Sequence, residues 1–570
     1  MLALLLSVCH IAILTLSWGW IMQQILKKMF KISLEKQFSI DILSIFGFCW
    51  LTAFTTICSI FIALDSTFQL TISIFSISLF LFKFKEIIPI SSIKALKLPR
   101  IALIFLLFFA FVLFYEAASP TKIHDTGSYH LATMNWIEQY PTIPGLGNLY
   151  GRLALNSSIF TVSTLFILRG VFHQPILAIN LFFFLLILFR IIKESVAAYD
   201  KKQFHIAFFH TSYLFILFFQ LKAFIASASP DLLLAILTYY SFLIFINLEK
   251  EWTNQEQFIL LAILIFTIPI LKISQLFVPI LFFILAYNQK SLFKKYFLLT
   301  NLSLLVIFII PWLIKSVILS GYLIYPFFQI DLFNVDWKIP KFSVFDSTFA
   351  INSISSEQYF AKSWARIPDR HFSEVLTLSY SEWVPQWFRL QSNISKLLIV
   401  GAALSPISLV FLWKQIPKTY VQFWIFSYFN LIYWALNAPD FRFAHANIVL
   451  CFLMPFLFFL KKIPQSKNKI VFLSTLAIFT AYFLFTVLIN PKTRINANQL
   501  AKTTVLPTKY SSEKTLGSPS NYKTIQNINF QYIVPLNGAC DDTQQPCSPY
   551  PNPQLEMRGA TVREGFRIRN

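Results

Sequence analysis

Residues 124–130 read His-Asp-Thr-Gly-Ser-Tyr-His, and Asp125 is the one carboxylate among them. A carboxylate beside apolar surroundings has its pKa raised, toward the range where it works as a general base. The same residue at a helix start also serves as an N-cap, so the sequence allows either role. His124 and His130 flank it, with Tyr129 between. Two His and one Asp are metal-ligand types, but this spacing follows no zinc pattern. No metal ligand or cofactor is therefore assigned, although a divalent metal is compatible. Pro144 to Ser158 comes next, with Gly145, Gly147 and Gly151 ahead of Arg152 and Asn156. Glycines let the backbone turn tightly. Arg152 carries a planar fork that grips phosphate, or pairs with a surface carboxylate or a lipid headgroup.

Three later positions extend this set. Ser229-Pro230-Asp231 has the form of a helix start, and Asp231 either complements the helix dipole or orients a substrate. Lys272 interrupts apolar sequence between Pro269 and Pro279. A lysine at membrane depth is costly and pairs, snorkels or binds a ligand, and a phosphate-bearing lipid suits it. Ala438 to His445 contains Asp440 and Arg442, which can pair with each other, and Arg442 can also hold a phosphate.

The elements around these residues follow from composition. The chain has 570 residues, is 56% hydrophobic and only 13% charged, and contains 65 Phe. Soluble domains carry about 25% charged residues, so most of this chain faces lipid or other helices. Spans of about 20 apolar residues cross a bilayer, and about fourteen such spans are predicted. They lie near 2–22, 42–63, 66–82, 100–118, 174–193, 205–226, 231–247, 256–270, 273–288, 297–319, 396–413, 420–437, 443–460 and 470–489. The first lacks a basic leader and a small-residue cleavage site, which predicts a retained helix. The apolar stretch 156–170 is short and polar at its start, which predicts a helix lying in the interface.

The net charge of +21 resides in short Lys/Arg runs between spans, as in cytoplasmic loops, and no nucleic-acid module accompanies it. The runs are Lys27, Lys28, Lys31 and Lys36; Lys83, Lys85, Lys94, Lys97 and Arg100; Lys193, Lys201 and Lys202; Lys294 and Lys295; Lys414 and Lys418; and Lys461 and Lys462. All fall on one side if both termini face outward. The expected organisation is a membrane domain over 1–490, with outer loops near 119–172 and 320–395, and a small extracytoplasmic domain over 491–570. Cys540 and Cys547 in that tail are close enough to close a loop, and a disulfide suits an outer compartment. No internal repeat is visible, unlike the repeat-built transporters.

His124–His130, Pro144–Ser158, Gly321–Phe327, Ala438–Phe443 and the tail around Cys540 and Cys547 resemble a bacterial family of polytopic membrane proteins, from about Ile123 onward. The layout more distantly resembles the type C (GT-C) integral membrane glycosyltransferases. That resemblance implies a bacterial inner-membrane enzyme taking a sugar from a polyprenyl-phosphate donor to a saccharide or lipid acceptor at the extracytoplasmic face. It implies Asp125 as base. Arg152, Lys272 and Arg442 would bind the phosphate, and His124, Tyr129, His130, Asn156, Asp231 and Asp440 would complete the substrate site. Asp125 is followed by Thr126, so the acidic pair common in that superfamily is absent, and three extra helices precede the loop. The alternatives are a flippase for a lipid-linked saccharide, a polymerase, or a scaffold in envelope polysaccharide assembly.

Overall fold

The computed structural model describes residues 1–30, 38–89, 98–247, 253–291, 302–341, 353–508 and 522–569, except 369, 413, 415, 492, 528, 537, 541, 543 and 544. Lys31, Lys36, Lys94, Lys97, Lys294 and Lys295, the start of the expected span 297–319, and residues 509–521 of the tail lie outside the described residues.

Within the described residues, each predicted span contains helix. Among the described residues, seven helices are long and apolar enough to cross a bilayer: Leu2–Lys28, Ile40–Phe61, Arg100–Ala118, Phe204–Phe224, Asn254–Leu271, His445–Lys462 and Gln465–Ile489. Ser66–Phe82, Pro230–Ile246, Ile273–Asn288, Leu305–Ser320 and Asn393–Ser408 are apolar but shorter. Ile179–Asp200 and Lys418–Asn437 have spanning length with more polar residues. This is the make-up of a polytopic, all-helical membrane protein.

Burial separates inner from outer helices. Every residue of Pro230–Ile246 is buried, so this helix is the centre of the bundle. Arg100–Ala118 and Gln465–Ile489 instead turn apolar residues outward, with Ile101 84% and Ile478 67% exposed. Apolar surface on that scale, on membrane-length helices, is lipid-facing surface. The abundant Phe joins the layers. Phe109 stacks on Phe483 at 4.6 Å, and Phe218 meets the edge of each at 5.1 Å. Such ring pairs add about 0.5–1.5 kcal/mol beyond area burial.

The stretch 156–170 departs from the expectation of an interfacial helix. Ser158–Ser163 is a six-residue helix with every residue buried, packed on Ile40–Phe61. Ile159, Phe160 and Val162 find core partners there, and Thr161 meets the Thr56 hydroxyl at 3.4 Å. It is too short to span.

A second core lies over one end of the bundle. It joins both predicted outer loops to the tail through Trp136, Leu149, Tyr322, Ile339, Tyr532 and Phe566. The tail contributes two antiparallel pairs. Strand β1 (Tyr522–Gln526) pairs with β2 (Gln531–Pro535), and β3 (Leu555–Met557) with β4 (Phe566–Ile568). Cys540 and Cys547 form the predicted disulfide, and both are buried in this core. Two left-handed glycines lock the tail to the first loop. A Cβ on Gly145 (φ +65°) would lie 2.1 Å from the Phe566 carbonyl, and one on Gly565 (φ +97°) 2.1 Å from the Pro144 carbonyl. The Phe566 amide donates to Pro144 O at 3.0 Å. Arg169 bridges Glu138, at 3.0 Å, and Asp542 of the tail.

Candidate functional site

Five chain turns converge beneath this cap. Asp125 immediately precedes Thr126–His130, a single π-helical turn, a form common at functional sites. Its side chain makes no capping bond, which sets aside the capping role. Arg152 comes from the 3-10 turn Gly151–Ala154. Asp231 starts the central helix, whose Ser229 cap accepts from the Asp231 amide at 3.4 Å. Asn180 pins the preceding turn by donating to the carbonyls of Phe224, Ser227 and Ser229 at 2.8–3.0 Å. A 2.7 Å contact between the Thr126 and Ser227 hydroxyls registers the Asp125 turn against it. Lys272 follows the end of Asn254–Leu271, and Gln275 donates to Phe443 O at 3.0 Å, bringing in the Arg442 turn.

The charges interlock. Asp125 contacts Arg152 at 3.5 Å and Arg442 at 3.4 Å. Arg442 also reaches Asp440 at 3.2 Å and Asp231 at 3.7 Å, and Lys272 is bonded to Asp231. Charge-assisted bonds normally measure about 2.7–2.9 Å. Asp125 is thus held loosely by both arginines, while Asp231 is fully engaged by Lys272 and by the Ser229 hydroxyl at 3.1 Å. Burial works to raise the Asp125 pKa, but Arg442 and its cationic neighbours outweigh it, and the carboxyl falls below its ordinary value. The sequence argument for a raised pKa is therefore reversed, because it omitted the guanidinium groups. Asp440 moves up, burial outweighing Arg442.

These groups open on a cavity of about 610 Å³. The helix Ile354–Arg366 forms one wall, lined by residues 357–362 and Trp364. Glu357, Phe360 and Trp364 recur at helical spacing. Phe360 lies 5.2 Å from the Arg152 guanidinium and Trp364 5.0 Å from that of Arg442. Such contacts orient a guanidinium without neutralising it.

The structure brings His124, Asp125, Tyr129, Arg152, Asp231, Lys272 and Arg442 to this cavity. Asp440 stands behind Arg442 and does not line it. His130 and Asn156 depart from their expected substrate contacts. His130 is buried against Phe160 at 5.0 Å, and burial lowers its pKa to about 4, so it is neutral. Asn156 donates to Trp312 O at 2.7 Å and accepts from the Trp312 indole at 2.7 Å, a structural clasp. Among the described residues, no group of three His, Cys, Asp or Glu side chains is arranged to hold a metal.

Sequence reasoning missed Glu357. Burial raises its pKa despite Arg152. A Cβ on Gly151 would lie 2.7 Å from the Glu357 carboxylate, so the glycine before Arg152 makes room for it. That glycine was the available signal, since nothing in its own loop requires it.

The family described as a domain of unknown function, DUF8201, matches residues 1–449. The chain belongs to that family. The match takes in the first hundred residues, beyond the resemblance read from Ile123 onward, and it covers every charged side chain that lines the cavity among the described residues, to which the tail adds Gly538 and Tyr550. No curated protein and no solved structure matches the chain.

Proposed function

We propose that the chain transfers a sugar from a polyprenyl-phosphate donor to a saccharide or lipid acceptor, at the extracytoplasmic face of a bacterial inner membrane. One observation carries this reading: a loosely held carboxylate between two arginines, with a lysine alongside, faces a cavity large enough for a sugar phosphate. In the reaction the donor carbon–oxygen bond to phosphate breaks as the acceptor oxygen bonds to that carbon. The acceptor proton goes to ionised Asp125. Arg152, Arg442 and Lys272 take up the charge developing on the departing phosphate, where fixed cations stabilise most. Aromatic faces such as Trp364 and Tyr433 suit the sugar ring. The accompanying topology is about fourteen spans with both termini outside, as the lysine runs require.

Transport of a lipid-linked saccharide is a second reading, favoured by one feature. Asp41, Arg190 and Glu194 form a buried cluster toward the far end of the bundle, with Arg190 3.6 Å from Asp41 and 2.8 Å from Glu194. The deciding experiment measures transfer of radiolabelled sugar from polyprenyl-phosphate donors in proteoliposomes. Wild-type transfer that falls at least ~100-fold in Asp125→Asn, with the variant still monodisperse, supports the enzyme. Full activity in Asp125→Asn removes the base assignment, and movement of donor without transfer favours transport.

A further inference from the structure

Lys315 lies in the apolar helix Leu305–Ser320 and is only 5% exposed. Its ammonium meets the Ser59 hydroxyl at 3.1 Å, and among the described residues no carboxylate pairs with it. Beside it is a void of about 30 Å³, lined also by Trp136, Leu153, Asn156 and Ser157. The hydroxyls and amide there are already committed as donors. Ser59 donates to Thr56 O at 2.9 Å, Ser157 to Leu271 O, and Asn156 to Trp312 O. The Trp136 indole N–H is buried without an acceptor.

An ammonium has three donor hydrogens and an indole one. Ser59 is the partner the ammonium meets among the described residues, which leaves its charge without a counter-ion and the indole N–H without an acceptor around a small space. A lone charge in an apolar bundle is costly and normally has a partner or a ligand. Water fits a void of this size and accepts hydrogen bonds, but it brings no opposite charge. A monatomic anion supplies both. We propose that Lys315 and Trp136 hold a halide-sized monovalent anion, chloride under physiological conditions. The site backs onto the turn of Arg152. Leu153 and Asn156 face the void, while Arg152 and Leu155 face the large cavity, so the anion braces the turn that presents Arg152.

The test is thermal unfolding of the purified full chain in detergent, titrating sodium chloride against sodium gluconate at constant ionic strength. Chloride and bromide should raise the melting temperature saturably, as ligands of the native state do. Lys315→Met should abolish the response, and Trp136→Phe should weaken the apparent affinity several-fold. If Lys315→Met does not fold, the bromide response of wild type against Trp136→Phe decides. Identical melting curves in chloride and gluconate overturn the proposal, as does an undiminished response in both variants.

Discussion

At the scale of single residues, charge decides what each carboxylate can do. Asp125 is depressed by its cationic neighbours, so it is ionised throughout the neutral range. Transfer that depends on it should stay flat on the acid side until pH falls below the ordinary carboxyl range of about 4. A pH–rate profile that declines already between about pH 7 and 6 would assign the base to another group. Its ion pairs also stabilise the fold above the unfolded pKa, and that contribution is lost as pH falls through the folded value. Glu357 has the opposite sign. Its raised pKa means that keeping it ionised costs stability, a cost absent in acid and growing as pH rises through its folded pKa. Glu357→Gln should therefore raise the melting temperature at neutral pH, with the gain vanishing below about pH 4; an unchanged difference across pH would refute this. Asp125, Arg152, Asp231, Lys272 and Arg442 were legible in the sequence because polar residues stand out between apolar spans. Glu357 was not, because it sits in an ordinary amphipathic helix whose meaning depends on a distant glycine.

At the scale of elements, length and hydropathy predicted a helix at each long apolar run, since an apolar run of spanning length admits few other forms. What failed was short-range placement. Ser158–Ser163 was read as interfacial because sequence does not show that Ile40–Phe61 offers it a buried seat. The tail strands take their register from a core shared with two remote loops, which a local pattern does not show. That dependence predicts the effect of Gly145→Ala. A left-handed residue with a side chain costs about 1–2 kcal/mol, and here the new Cβ also meets the Phe566 carbonyl. Limited proteolysis should cut the variant's tail faster than wild type, whereas equal rates would show that the lock is dispensable. Arg169→Ala should act the same way, through loss of its links to Glu138 and Asp542.

At the scale of the whole molecule, sidedness is the quantity to test. Single cysteines at Lys202 and Tyr550, in a background lacking the four free cysteines, should react oppositely with a membrane-impermeant maleimide in intact cells. Labelling at Tyr550 alone fits a tail outside and lysine runs inside, and labelling at Lys202 alone inverts the proposed topology. The interlock of Gly145 with Phe566 has a temporal consequence. Strand β4 follows every helix in the chain, yet it completes the core that the earliest large loop begins. The nascent protein must place its whole bundle while that loop waits exposed and unfinished. Closure of the roof over the charged cavity therefore waits for β4, and a ribosome that stalls before β4 leaves a roofless product.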